Sequence, residues 1–500
     1  MNGPLDPPNR PARRPSADSG LEPTFRDPAG QLRLMDDCAL RQIRPAAREE
    51  TLEFLRSPLR TTLEQSGDLI ASKIASPDDH PLVAAGELWL EHPRVDPISY
   101  PWEWTTAQWR AAAELTLRVA SQAIAAGWTL KDATPLNVLF MGPCPVLVDV
   151  LSFERRDPRS TVWLAYGQFV RTFLLPLVAA KYLGWPLEAT LFRRDGYEPR
   201  EICNALPLRQ KFSPALFDVV TLATLLERRG QKPSDAKKLP MANDPALARH
   251  ILEKRIARLG KQIRHAARGL NRSQWSDYTQ TARHYQPADI EQKRQFVKAT
   301  LERLHPARVL DIGANTGSYA RMAAEAGAEV VALDSDAAAL ETLWVMTARE
   351  KLAIAALVAN VARPTPAAGW RNREHLSLLD RLVGRFDLVL MLAVIHHLIL
   401  REQAPLALIG ELAASLTRRW LLVEWVPPSD PMYQEWLRGR DELYGHWTED
   451  DLKQAFAPFF TVADRCELGN KRVLLLFERM GETSGGAAET GKLNHKESTA

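Results

Sequence analysis

The sequence predicts an α/β protein: a doubly wound, parallel sheet in the C-terminal half, preceded by an α+β domain. Three observations carry this reading. Near-continuous apolar runs recur at 308–312, 329–333, 386–392 and 420–425, separated by stretches of helical period, as expected of parallel strands covered on both faces. A glycine-bearing turn, VLDIGANTGSYA over 309–320, follows the first run and leads into a helix. The N-terminal half instead offers short β-prone pieces near 31–44. These give way to helical spacing over 105–126, where Trp109, Ala113, Leu117 and Ala120 recur.

With 500 residues and 45% hydrophobic content, the chain can bury a large core and fits two or three domains better than one. Lys plus Arg total 64 against 61 acidic residues, and a net charge of +3 gives no global case for nucleic acid or an anionic membrane. Cys38, Cys144, Cys203 and Cys466 lie far apart without a CxxC or Cys/His spacing, which argues against a zinc site or a disulfide framework. A reducing cytoplasm fits that usage. Residues 1–24, rich in Pro, Arg, Asp and Ser, read as a disordered leader without a secretory apolar stretch, and 481–500 as a disordered tail. The most apolar run, 169–187, contains Arg171, Lys181 and two prolines, so it reads as buried helix rather than a membrane span.

Between these ends the chain divides into an α+β domain over 25–230, a linker with a basic helix over 231–292, and the doubly wound domain over 293–480. The boundary rests on the Pro-, Lys- and Asp-rich segment near 230–245. In the helix that follows, Leu252, Ile256, Leu259, Ile263 and Leu270 share one face. Lys254, Arg255, Arg258, Lys261, Arg264 and Arg268 occupy much of the remainder.

The turn after the first strand reads DxGxxxG rather than the GxGxxG of dinucleotide sites, and Asp311 would repel a phosphate. An acid there suits a cation, such as the amino group and sulfonium of S-adenosylmethionine. The next strand ends in Asp334, suited to accept hydrogen bonds from both hydroxyls of a ribose. Asn360 in LVANVARP stands where a polar side chain could meet an adenine amino group, and FDLVLMLAVIHHL forms the strand and loop beyond.

With these stretches in order, the chain from about 293 to 479 resembles the class I, Rossmann-like S-adenosylmethionine-dependent methyltransferases. The resemblance implies that Asp311, Gly313 and Gly317 hold the methionine moiety and Asp334 the ribose. Asn315 within the turn and Leu392 at the fourth motif complete the expected contacts, with Tyr285 on the approach segment, near Trp275, Tyr278 and Lys293, as a cap. Many members carry Asp where Asn360 stands. Methyl transfer is an in-line displacement that needs alignment and exclusion of water. A hydroxyl acceptor must also lose a proton, which makes His396 and His397 the candidate catalytic groups, with Glu424 near the end of strand five to bind acceptor or orient a histidine together with Asp430.

In the N-terminal half, LKDATPLNVLFMGPCPVLVDVLSFE places Asp132, Asn137 and Asp149 around a hairpin-like interval. The order resembles the catalytic loop and metal-binding acid of protein-kinase-like folds, although no glycine-rich phosphate loop is evident and Leu151, Ser152 and Phe153 follow the last acid. More broadly, YPWEW (Tyr100 to Trp104), this segment and WLAYGQFVRTFLLPL resemble bacterial two-part methyltransferases, some tied to nodulation or cell-surface glycan modification. The expected function is methyl transfer to oxygen or nitrogen of a small-molecule or glycan acceptor. The alternatives are a bifunctional methyltransferase and phosphotransferase, or a nucleic-acid or membrane-binding protein with a vestigial methyltransferase fold.

Overall fold

The computed structural model describes residues 27–228, 240–270, 287–437, 439 and 445–481. The leader, the tail and Trp275, Tyr278 and Tyr285 lie outside them. The N-terminal β-prone pieces form β1 (Gly30–Leu34) and β2 (Cys38–Ile43), which join β3 (Lys73–Ile74) and β4 (Leu88–Pro93) in an antiparallel sheet of order β1-β2-β4-β3. The helix Thr106–Ala125 begins at Thr105, whose hydroxyl accepts from the Gln108 N–H while the Gln108 side chain accepts from the Thr105 N–H, a reciprocal cap. Trp109, Ala113, Leu117 and Ala120 all face inward from it. Beyond lie β5 (Trp128–Leu130) paired with β8 (Phe153–Arg155), and the hairpin β6 (Val138–Met141) with β7 (Cys144–Leu147).

The apolar run at 169–187 is helical through Leu183 and largely buried. Its first turns widen into a π-helix over Val170–Leu174 before Leu175–Leu183, next to Pro176, which has no N–H to place in an α-helical ladder. Among the described residues no helix is long and apolar enough to cross a membrane. The basic helix spans Pro245–Ala267 and packs Leu252, Ile256, Leu259 and Ile263 against the helices Thr106–Ala125 and Leu175–Leu183. Its apolar face thus packs on the N-terminal unit.

The C-terminal unit is a seven-stranded sheet of β9 (Arg308–Ile312), β10 (Glu329–Asp334), β11 (Ile354–Val358), β12 (Phe386–Met391), β13 (Thr417–Trp425), β14 (Phe460–Glu467) and β15 (Val473–Arg479). Their order is β11-β10-β9-β12-β13-β15-β14, parallel through β13, with β15 inserted antiparallel between β13 and β14. All four expected runs are strands. Side chains alternate between two cores: Val309, Val330, Leu388, Leu422 and Leu474 on one face, and Leu310, Val331, Val389, Leu421 and Leu475 on the other. The first core continues without a break into the N-terminal unit.

YPWEW supplies much of the polar part of that junction. Glu103, fully buried, takes a two-pronged ion pair from Arg381, with one N–O distance of 2.9 Å, and a 2.6 Å hydrogen bond from Thr365. The Tyr100 hydroxyl accepts from the Leu376 N–H at 3.0 Å, and its ring lies 4.7 Å from the Arg381 guanidinium carbon. Gln108 donates to the carbonyl of Ala356 on β11, and Asp96 bridges Arg308 and Arg385.

Candidate functional site

The chain runs from β9 to β10 and β11 on one side of the sheet, then crosses to β12 on the other, so a crevice opens at the carboxyl ends of β9 and β12. A cavity of about 530 Å³ lies there. Its floor is the turn after β9, where Gly313 has φ of +75° and a Cβ would come within 2.5 Å of Val394 Cγ2. Asn315, also with positive φ, lines the cavity and its N–H donates to Asp334 at 2.8 Å.

Asp311 and Asp334 stand at the ends of β9 and β10 and both face the cavity. Asp311 is 2% exposed, and its Oδ2 has no hydrogen-bond partner among the described residues. Burial first, and then the neighbouring Asp334, push its carboxyl up to about 7, against the opposing pull of Lys293. Burial also raises Asp334, but the backbone N–H groups of Asp336, Asn315 and Ser335 counter it by donating to the carboxylate. A buried acid with one idle oxygen in a cavity is a receptor for a cation, and the acid beside it, fixed by backbone donors, has further lone pairs for hydroxyls. This donor set fits the methyl donor inferred from the sequence.

Leu392 and Asn360 also line the cavity. Asn360 is committed on both ends of its amide: Nδ2 donates to Glu402 at 3.1 Å and Oδ1 accepts from Ala362. One N–H of Nδ2 and the second lone pair of Oδ1 remain for a ligand. Gly317 is not part of the lining. It has φ of +83°, and a Cβ there would meet Leu343 Cδ1 at 2.2 Å, so its glycine serves the packing of the turn on the next helix rather than ligand approach.

His396 and His397 open the short helix Ile395–Leu400 after β12 and form the other wall with Arg401 and Met432. His396 stacks on Trp436 at 5.7 Å and His397 meets the same ring edge-on at 4.2 Å. His396 is 4% exposed and its Nδ1 has no hydrogen-bond partner among the described residues. Burial, then Arg472 and Lys293, lower its pKa to about 3, and burial with His396 and Arg401 sets His397 well below the usual value. Burial thus favours the neutral imidazole at His396, a hydrogen-bonding group in the cavity wall.

Among the described residues Glu424 has Lys293 and Arg472 as partners. At the end of β13 it is wholly buried, accepting from Lys293 Nζ at 2.5 Å and Arg472 Nη1 at 3.3 Å, and Arg472 Nε donates to Asp430 at 2.8 Å. Burial pushes the Lys293 ammonium down, but Glu424 and Tyr319 outweigh it and hold its pKa up. Glu424 thus sits behind the cavity wall and fixes Lys293 and Arg472, which are part of the lining. Arg472 was missed from sequence, although a lone arginine directly before the apolar run VLLLF was a usable signal.

In the N-terminal unit the fold brings Asn137 and Asp149 together across the β6–β7 hairpin, with Asn137 Nδ2 3.5 Å from Asp149. Arg41 on β2 already pairs with Asp149 at 3.1 Å, and Ser152 donates to it. Asp132 is held by Gln168, and burial followed by Asp149 raises its carboxyl.

Residues 282–460 match the family model described as "Methyltransferase domain". The nodulation protein NoeA of Rhizobium meliloti (strain 1021) is 28% identical over 484 residues, covering 94% of this chain and 97% of that protein. Among solved structures, the N-methyltransferase NodS from Bradyrhizobium japonicum WM9, in complex with S-adenosyl-L-homocysteine, is 14% identical. The match covers 41% of this chain and 98% of NodS, with a TM-score of 0.30. Magnesium protoporphyrin IX methyltransferase from Synechocystis PCC 6803 with bound S-adenosylmethionine is 19% identical, covering 41% of this chain and 91% of that one, with a TM-score of 0.29.

Proposed function

We propose that this S-adenosylmethionine-dependent methyltransferase moves the methyl group to an oxygen or nitrogen of a small-molecule or glycan acceptor that enters beside His396. The observation that carries the reading is Asp311, a buried carboxylate with an idle oxygen in the lining of a 530 Å³ cavity at the sheet's switch point. Bound there, S-adenosylmethionine supplies an electrophilic methyl carbon. Asp311 would hold its cationic end, Asp334 the ribose hydroxyls and Asn360 Oδ1 the adenine amino group. Gly313 lets the backbone approach, and Leu392 provides apolar contact.

His396, kept neutral by burial, offers a ring nitrogen as acceptor for the hydrogen of an incoming hydroxyl or amine and so aims its lone pair. His397 and Trp436 fill the wall and keep water from that side. Lys293 and Arg472, held by Glu424 and Asp430, shape the remaining edge. The likeness to a nodulation protein runs through both units, which supports treating the N-terminal unit as part of the same working enzyme. Four free thiols suit a cytoplasmic setting. Calorimetric titration of S-adenosylmethionine and its demethylated product into wild type and Asp334→Ala tests the cofactor site: binding lost in the variant sustains the reading, and no binding by folded wild type overturns it.

A second reading, added phosphotransfer by the N-terminal unit, is favoured by one observation, the meeting of Asn137 and Asp149 near Asp132. Against it, Arg41 already neutralises Asp149. Heat of binding on titrating ATP with magnesium, lost in Asp149→Asn, would support the second activity.

A further inference from the structure

Away from the crevice, the N-terminal sheet gathers three side chains that no sequence spacing connects. Cys38 opens β2, and Glu91 lies on the adjacent β4 opposite Leu40, two residues on from Cys38, so both point to the same face. His80 comes from the irregular stretch between β3 and β4, where Pro77, Asp78, Asp79, Pro81 and Leu82 are exposed while His80 is 0% exposed. The Cys38 thiol, a His80 ring nitrogen and a Glu91 carboxylate oxygen all lie within 4.8 Å of one another, with His80 Nε2 2.6 Å from Glu91. Met35, Leu40, Ala75, Val83 and Trp89 form an apolar shell nearby.

We propose that Cys38, His80 and Glu91 are the ligands of a divalent transition-metal ion, zinc by its chemistry, that fastens the β3–β4 loop to the sheet. A thiolate, an imidazole and a carboxylate form a typical three-residue donor set for zinc, leaving a fourth position for water. Edges of a tetrahedron with bonds of about 2.0–2.3 Å are roughly 3.3–3.8 Å, so donors within 4.8 Å need about 1 Å of closure, while the 2.6 Å contact between His80 and Glu91 opens by about 1 Å. Charge decides in the same direction. A dication with one thiolate, one carboxylate and a neutral imidazole is neutral overall, the form that a buried site tolerates best.

On coordination the Cys38 thiol releases its proton to solvent. His80 binds as a neutral imidazole through one ring nitrogen with its single proton on the other, any second ring proton leaving to solvent as well, and Glu91 exchanges the His80 contact for the metal. Lys73, 3.0 Å from Glu91 and 62% exposed, is the cation the metal would displace, and its ammonium can move into water. The sequence argued against zinc because it offered no local motif. This site is built by strand pairing and by a folded-in loop instead.

The test is a cobalt(II) titration of the full chain, reduced and stripped with a chelator, read by the thiolate-to-cobalt charge-transfer absorbance. One equivalent should produce the band and zinc should abolish it. Cys38→Ser should lose the band, whereas Cys144→Ser, on an exposed thiol, should keep it. Zinc affinity from competition with a chromophoric chelator should weaken on the order of 10²-fold in Cys38→Ser and in Glu91→Gln. No charge-transfer band in folded wild type, or a band that survives in Cys38→Ser, overturns the proposal.

Discussion

Replacing Asp311 with Asn removes a charge whose environment is unusually well defined. Its carboxylate is 2% exposed, one oxygen is unpartnered, and its pKa lies at about 7 against an ordinary 3.8. In the ligand-free protein the native state therefore keeps a proton that the unfolded chain has released between those values, and stability falls as pH rises through that window. A cationic ligand reverses the preference, because it binds the ionised form. At pH 6 the site is about nine-tenths protonated and at pH 7 about half, so binding should release about 0.9 and about 0.5 protons respectively. Apparent affinity should weaken toward tenfold for each unit below pH 7.

The assay is calorimetric titration of S-adenosylmethionine between pH 5.5 and 7 in buffers of different ionisation enthalpy, a range in which the ligand's amino group stays protonated. A charge-assisted hydrogen bond contributes about 1.5–3 kcal/mol, so Asp311→Asn should bind roughly 10- to 150-fold more weakly at pH 7 and show no linked proton release. Equal affinity in the two proteins, or no proton release by wild type at pH 6, would refute the role given to this carboxylate.

Other consequences are equally open to measurement. Glu103→Gln leaves Arg381 buried without its counter-charge and should cost about 3–5 kcal/mol in urea unfolding. The paired change Glu103→Leu with Arg381→Met should recover most of that loss, and a single variant costing under about 1 kcal/mol would contradict the clamp. Gly317→Ala combines left-handed backbone, about 1–2 kcal/mol, with a clash against buried Leu343, about 1–3 kcal/mol. Its penalty should shrink in a Leu343→Ala background, and equal penalties in both backgrounds would remove Leu343 from the explanation. Carbon-13 labelled histidine should show the His396 ring neutral and unchanging from pH 5 to 8. A midpoint near 6.5, assigned through loss of the signal in His396→Gln, would restore the proton-accepting role.

The sequence by itself determined four strands of the C-terminal sheet and the glycine turn beside them, because these are written locally. Apolar runs of strand length, a glycine turn and an acid at each of two strand ends are short-range patterns, and β9, β10, β12 and β13 appear where those patterns lie. The edge strand β14 was harder to read because it alternates with exposed polar residues, and β15, though apolar, pairs with β13 as well as with β14, a long-range contact that its short turn from β14 does not reveal. Tertiary structure alone decided the rest. Gly317 and Gly313 look alike in sequence, but only the packed helix distinguishes one that meets Leu343 from one that lines the cavity. Glu424 and His396 both lie near strand ends at the crevice. Their roles separate only when folding brings Lys293 and Arg472 onto Glu424 and buries both side chains. YPWEW carried no chemical signature until Glu103 met Arg381 across nearly three hundred residues of chain. Local propensity is set by neighbours along the chain, whereas charge state, pairing and burial are set by neighbours in space, and these last assign each residue its work.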